Sequence, residues 1–286
     1  MICWMNGEYM PQQQLKISPF DHGFLYGLGF FETFRTYDGK AIFLQQHIQR
    51  LNQALEAFHI EMPYSIDELT LIIEALNEKN GGDDGYFRLN VSAGEHEIGL
   101  APTHYQNPNV IIFRKALPKS DSIFEKSAVI LKTIRNTPED GANRFKGHHY
   151  GNNVFARFEL PSLAEREGIY LTKEGFVAEG ITSNIFWVKH NVLYTPALST
   201  GILPGITRAN VIQLAHQLGI EVVEGKLPLS DLMEADECFL TTAIQQIVPI
   251  SQIEGKQYKG TTGEFTSKLK KVYEAFIEKL VKEPTT

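Results

Sequence analysis

Cysteine is nearly absent: Cys3 and Cys238 are the two in 286 residues. That excludes a disulfide framework and points to a reducing, cytoplasmic setting. Cationic excess is missing too. With 34 acids against 27 bases the net charge is −7, the opposite of what nonspecific nucleic-acid binding needs, although a local cationic pocket for a small anion stays compatible with it. No apolar run approaches the ~20 residues of a membrane-spanning helix; Val110–Phe113 and Ile185–Val188 are among the longest, so no membrane partner is expected. The opening MICWMNGEYM lacks a basic segment followed by an apolar core, and no signal peptide is expected. Long repeats and low-complexity tracts are also missing. What is present is the make-up of a globular chain, 43% hydrophobic, 21% charged and 11% aromatic, which argues against disorder. At roughly 100–200 residues per domain, the length suggests two domains or one large one.

The first third alternates strand and helix signals. Met1–Met5 before Asn6-Gly7 reads as a strand entering a tight turn. Phe30–Tyr37 is aromatic and β-branched and ends at Asp38-Gly39, which predicts a hairpin with Ala41–Leu44 as its return strand. Ile48, Leu51, Leu55 and Phe58 recur at helical spacing, and a second helix is predicted over Ser65–Asn77. Tyr86–Ala93 and Asn109–Leu117 read as strands. Pro118–Phe124 is the candidate linker, which divides the chain into an N-terminal α/β domain (1–117) and a C-terminal sheet-rich, barrel-like domain (125–286). In the second, strands are predicted at Ala128–Ile134, Gly168–Thr172, Ile185–Lys189 and Val192–Thr195, and helices at Asn152–Leu163, Thr207–Leu218 and Thr262–Glu283. The mixture predicts an α+β or α/β fold with sheets in both halves.

Five segments could carry chemistry. SPFDHGFLYGLGFFETFRTYDG (18–39) sets glycines among aromatics and a possible acid, base and hydroxyl. Its Gly27-Leu28-Gly29 lacks the third glycine of a dinucleotide fingerprint, and a Gly-rich loop feeding a hairpin explains it equally. In HIQRL, Arg50 could bind phosphate or carboxylate, or simply be solvated. In RFKGHHY, Lys146 is either a Schiff-base lysine or a surface one. The adjacent His148 and His149 would point to opposite sides of an extended segment and have no Cys or acid at ligand spacing, so no metal site is expected. GFVAEGITSN places Glu179 between small residues, where a carboxylate could meet a planar ligand or simply face solvent. GILPGITR leads into a helix whose N-terminus could receive phosphate, or be an ordinary capped end.

Taken together and in this order, YGLGFFETFR, HIQRL, the lysine segment, VAEGITSNIF, LYTPALSTGILPGITR and ADECFLTTAIQQIVPI resemble the fold-type IV enzymes that use pyridoxal 5'-phosphate. That family includes branched-chain aminotransferases, D-amino acid aminotransferases and aminodeoxychorismate lyases, and the resemblance covers essentially the whole chain. SPFDHGFLYGLGFFETFR, RLNVSAG and RNTPEDGANRFKGHHYGNN look most like the Bacillus-type lyase branch.

The resemblance implies a two-domain, D-amino acid aminotransferase-like fold with the cofactor between the domains, and a homodimer. It implies that Lys146 bonds the cofactor and that Glu179 pairs with the pyridine nitrogen. Arg50, Ile206, Thr207 and Thr242 would form the phosphate cup, and Tyr150 would reach the ring hydroxyl. The chain departs from the aminotransferase pattern at Ala243, where a hydroxyl residue is usual. Thr33 stands where branched-chain enzymes usually carry glycine, and the lyases have a threonine near the reacting carbons. Tyr26, Phe31, Arg35 and Arg88 are candidates for contact with substrate carboxylates or the pocket wall. The implied activity is the lyase conversion of 4-amino-4-deoxychorismate to p-aminobenzoate and pyruvate in folate biosynthesis, coupled functionally to the aminodeoxychorismate synthase. Amino-group transfer between amino acids and 2-oxo acids is the alternative.

Overall fold

The computed structural model describes residues 1–100, 104–117, 124–138, 144–162 and 164–283. It divides into two units: Met1–Pro118 with Phe145–His149 and Leu280–Thr286, and Lys119–Arg144 with Tyr150–Lys279. Apart from Phe124, the linker expected at 118–124 lies outside the described residues.

The first unit is an antiparallel five-stranded sheet with two long helices on one face. Its strands are β1 (Ile2–Met5), β2 (Glu8–Pro11), β3 (Gly29–Arg35), β4 (Gly85–Ser92) and β5 (Asn109–Ala116), in the order β2-β1-β5-β4-β3. A helical turn, α1 (His22–Leu25), precedes β3; α2 (Leu44–Ala57) and α3 (Ile66–Glu78) follow it. The start of α3 is set by a reciprocal capping box between Ser65 and Glu68. Strict burial alternation along β4 fixes one apolar face. Phe30, Phe34, Phe87, Leu89, Val91, Val110 and Ile112 pack there on Ile48, Leu51, Leu55, Leu69, Ile73 and Leu76 of the helices.

The predicted hairpin return at Ala41–Leu44 does not form. Beyond the Tyr37–Lys40 bridge the chain enters α2 at Leu44, and β3 pairs instead with β4, in full antiparallel register from Gly29↔Ser92 to Arg35↔Tyr86. The long partner offers seven paired positions on a half-buried face, where a four-residue hairpin offers few.

Residues Phe145–His149, expected in the second domain, group with the first unit because they lie along the free edge of β3. Phe30 bridges Gly147, Phe31 N–H donates to Lys146 O at 2.9 Å, and His148 N–H donates to Gly29 O at 2.8 Å. The chain's end groups there too, with Lys40 Nζ donating to Val281 O at 2.8 Å.

The second unit is built on a sheet ordered β11-β10-β9-β12-β13-β6-β7-β8, with β14 beside β13. These strands are β6 (Lys126–Ile130), β7 (Arg166–Leu171), β8 (Val177–Gly180), β9 (Asn184–Lys189), β10 (Val192–Pro196), β11 (Val222–Gly225), β12 (Glu237–Thr242), β13 (Gln246–Ile253) and β14 (Lys256–Gln257). The helices are α4 (Gly151–Arg157), α5 (Ile206–Gln217), α6 (Leu229–Met233) and α7 (Glu264–Lys282), whose last residues belong to the first unit. Central β9 is buried on both faces: Phe186 stacks on Phe239 at 5.1 Å, while neighbouring Trp187 belongs to the core on the other side. Two expectations change here. The strand predicted over Ala128–Ile134 ends at Ile130, and the helix predicted to Leu163 ends at Arg157; Leu163 itself is outside the described residues. No helix among the described residues is long and apolar enough to cross a membrane.

Candidate active site

In the first unit the site grows from the period-two alternation of β3. Phe30, Glu32 and Phe34 point toward the helices; Gly29, Phe31, Thr33 and Arg35 take the other face, opposite Ser92, Asn90, Arg88 and Tyr86 of β4. Glu32 is only 1% exposed. It accepts from Arg50 Nε at 2.7 Å and Nη2 at 2.6 Å, and from His47 Nδ1 at 2.7 Å. Burial alone would raise the Glu32 carboxyl, but the charges and hydrogen bonds of Arg50 and His47 overcome it and hold it at about 2. Burial pushes the His47 imidazole down. A bidentate grip of this kind fixes a guanidinium in plane, so Arg50 is a preset cation rather than a waving surface group.

On the other face the Phe31 ring is the common floor. Arg88 Cζ lies 3.6 Å and Lys146 Nζ 4.9 Å from its centroid, and the His148 ring stacks loosely on it at 6.2 Å. Thr33 is the next residue of β3 on that face, directly opposite Arg88, and is half-buried. Lys146, Phe31, Thr33 and Arg88 therefore lie together on this face. Arg35 and Tyr26 do not join them. Arg35 turns over the Tyr37 ring at 4.6 Å, and the Tyr26 hydroxyl accepts from Gly99 N–H at 2.8 Å.

In the second unit Glu179, the third residue of β8, is 3% exposed. Its carboxylate accepts from Arg135 Nε at 2.8 Å, Leu203 N–H at 3.0 Å and Asn184 Nδ2 at 3.3 Å. Arg135 also donates to Asn152 and Asn153 at the start of α4, at 2.9 and 3.1 Å. Arg144 lies 3.9 Å from the same carboxylate; burial, then the neighbouring Arg135 charge, pushes its guanidinium down to about 10. Asn184 further donates to Leu203 O at 3.0 Å, and Gly205, the N-cap of α5, packs so closely on Asn184 that a Cβ there would collide with it. Ile206 and Thr207 open α5, with Thr207 buried and no side chain capping the helix. The first-turn N–H groups of such an end have no intrahelical acceptor. Thr242 closes β12 and its hydroxyl accepts from Gln245 N–H at 2.8 Å. The adjacent Thr241 hydroxyl is buried without a hydrogen-bond partner among the described residues, on the strand position facing Asn184. Tyr150 is the N-cap of α4 and half-buried.

Sequence reasoning missed Glu32, His47, Arg135, Arg144 and Asn184 as positioning groups. All lie inside the quoted motifs, but nothing in a one-dimensional pattern shows which carboxylate each one grips. Among the described residues no group of three or more His, Cys, Asp or Glu is placed to hold a metal ion.

The chemistry of the second unit's donors is that of a two-ended ligand. Glu179 is an ionic acceptor suited to a protonated ring nitrogen, and Asn184 ties it to the start of α5, where a helix N-terminus and Thr207 suit a phosphate. The orphaned Thr241 hydroxyl opposite Asn184 is a further polar group with capacity to spare. These residues fit a phosphorylated pyridine.

Comparison with known proteins agrees with that chemistry. The chain is 42% identical to the aminodeoxychorismate lyase of Bacillus subtilis (strain 168) over 284 residues, 99% of this chain and 97% of that protein. It is 30% identical to the branched-chain-amino-acid aminotransferase of Escherichia coli (strain K12), covering 94% of this chain and 91% of that one. The crystal structure of the T.th. branched-chain amino acid aminotransferase complexed with N-(5'-phosphopyridoxyl)-L-glutamate superimposes with a TM-score of 0.83 at 29% identity, over 96% of this chain and 92% of that one. Residues 29–253 match the family model for amino-transferase class IV. The chain belongs to the class IV aminotransferase family, with the mixed α+β architecture of the fold-type IV enzymes.

Proposed function

We propose that this protein is a pyridoxal-phosphate-dependent carbon–oxygen lyase that converts 4-amino-4-deoxychorismate to p-aminobenzoate and pyruvate. The observation that carries the reading is the near end-to-end similarity to the Bacillus subtilis lyase, 42% over 99% of the chain. Lys146 would bond the cofactor, Glu179 would face its ring nitrogen, Tyr150 its ring hydroxyl, and Arg50, Ile206, Thr207 and Thr242 its phosphate. When bound, the cofactor supplies an electron sink.

The chain's own groups then divide the remaining work. Lys146 Nζ takes the proton from the carbon bearing the substrate amine. The adjacent carbon–oxygen bond breaks, and the departing enolpyruvyl group leaves as pyruvate after receiving a proton relayed by the Thr33 hydroxyl. The ring becomes aromatic, so atoms balance without a further reactant, and the protein's task is orientation and proton delivery. Arg88, set on Phe31 beside Thr33, holds a substrate carboxylate.

The protein would work in the cytoplasm as a homodimer in folate synthesis, fed by the synthase that makes aminodeoxychorismate. Similarity to the Escherichia coli aminotransferase favours a second reading, amino-group transfer. It uses the same lysine but returns the proton to the cofactor side instead of expelling a group. The experiment supplies aminodeoxychorismate made in place by its synthase, in parallel with amino-acid and 2-oxo-acid pairs. Release of p-aminobenzoate supports the lyase; its absence from a yellow, cofactor-loaded protein that aminates 2-oxo acids replaces the lyase with the transferase.

A further inference from the structure

The segment that carries Lys146 is fastened to the sheet twice. Its backbone pairs with the edge strand β3, through Phe31 N–H to Lys146 O at 2.9 Å and His148 N–H to Gly29 O at 2.8 Å. Its side chain at His148 then reaches across β3 altogether, and Nε2 lies 3.2 Å from Asn90 Oδ1 on β4. The crossing is possible only over a glycine: a Cβ on Gly29 would collide with the imidazole and approach Val91 O at 2.9 Å. Asn90 Oδ1 also accepts from Arg88 Nε at 3.1 Å. An amide oxygen can only accept, so His148 Nε2 is the donor, and in the neutral ring Nδ1, packed against Gly29, is the unprotonated nitrogen. Burial, then the Arg88 charge, holds this imidazole down to about 4, so the ring is neutral at neutral pH. Arg88, Asn90 and His148 together line a cavity of about 400 Å³ whose apolar wall includes Phe24, Ile111 and Phe113.

We propose that His148 is a positioning residue: by donating to Asn90 it locks the carboxamide that aims Arg88, and so registers a carboxylate bound at Arg88 against Lys146 two residues away. The same amide oxygen serves both partners, so motion of the lysine segment and motion of the carboxylate anchor are coupled. The inference rests on the reading above that Lys146 and Arg88 meet the substrate.

The test uses the cofactor-loaded enzyme and benzoate as carboxylate probe, with Kd read by titration calorimetry and thermal midpoint read alongside. Loss of one hydrogen bond to a charged site's support predicts that His148→Leu raises Kd ~5–10-fold, while His148→Gln, which keeps a donor, stays within ~3-fold. Arg88→Leu should weaken binding ~30-fold or more, since it removes the charged partner itself. In the double variant, His148→Leu should add little, because its effect runs through Arg88. Asn90→Ala should reproduce His148→Leu, and serves if the leucine variant does not fold. Equal losses in His148→Leu and His148→Gln, additive effects with Arg88→Leu, or wild-type binding absent or indifferent to Arg88 would each overturn the proposal. A protein that binds benzoate as described but makes no p-aminobenzoate would overturn the lyase reading and leave this coupling standing.

Discussion

One strand, β3, serves two surfaces, and they differ in kind. Its helix-facing side places Glu32 among phenylalanines, with three hydrogen bonds from Arg50 and His47 closing the carboxylate off completely. Its other side sets a buried Phe31 and a half-buried Thr33 among Arg88, Lys146 and His148, and Arg88 and His148 line a cavity. The inner polar cluster is a finished structure whose removal leaves buried charge behind. The outer one is a set of donors and cations around an aromatic floor, the arrangement of a binding surface. Neighbouring residues in one heptapeptide, GFFETFR, thus answer to different constraints: inward Glu32 fixes Arg50 in place, and outward Phe31 and Thr33 line the proposed site.

Substitutions separate the two. The largest effect is expected at Lys146→Ala, which should abolish turnover while the melting midpoint stays close to wild type; turnover at the wild-type rate would remove the outer surface from the chemistry. On the inner side Glu32→Ala strands Arg50 in a buried site, and breaking such a pair costs about 3–5 kcal/mol. Urea denaturation should show it; a loss below about 1 kcal/mol would mean the cluster is not the anchor described. Thr33→Ala should do the reverse, with stability within ~1 kcal/mol of wild type and elimination slowed ~10²-fold, the usual scale for one proton-transfer group. Single-turnover rates check this, and an unchanged rate would release Thr33 from the relay.

The smallest and most diagnostic effect is in pH. His148, which feels Arg88, Asp21 and His149, has its folded value depressed to about 4 from 6.5. The unfolded chain therefore binds the extra proton first, and stability falls as pH drops from 6.5 toward 4. Glu32, at about 2 against 4.5, contributes stability that is lost only as pH falls from 4.5 toward 2. Acid titration of the melting midpoint should show two windows, the histidines His148 and His47 yielding before Glu32. His148→Gln should shrink the upper window without touching the lower, because the buried His47 imidazole is held down as well.

The sequence showed most of the first unit because its alternation is regular. β4 and β5 and the helices α2 and α3 follow directly from apolar spacing, and Ser65 with Glu68 marks where α3 begins. The partner of β3 was not legible, since Asp38-Gly39 is a sound local turn signal and the β4 pairing is set by residues about fifty positions away. In the second unit β12 and β13 carry only short apolar runs, Cys238–Leu240 and Ile247–Ile250, which periodicity cannot tell from buried helix. The candidate site was legible through the family resemblance as a set of residues. Its geometry was not: that Arg50 is gripped by Glu32, Glu179 by Arg135, and His148 by Asn90 depends on long-range pairings. Tyr26 and Arg35 show the converse, since their residue types suit a carboxylate pocket but their contacts turn them to a loop and a strand end.

The central claim is that Lys146, at the edge of β3, performs the elimination. The direct measurement is simultaneous quantification of p-aminobenzoate and pyruvate from aminodeoxychorismate, wild type beside Lys146→Ala, both loaded with pyridoxal phosphate. Equal amounts of the two products from the wild type, and none from the variant, is the predicted result. Product from the variant at the wild-type rate, or no product from a loaded wild type, would contradict it.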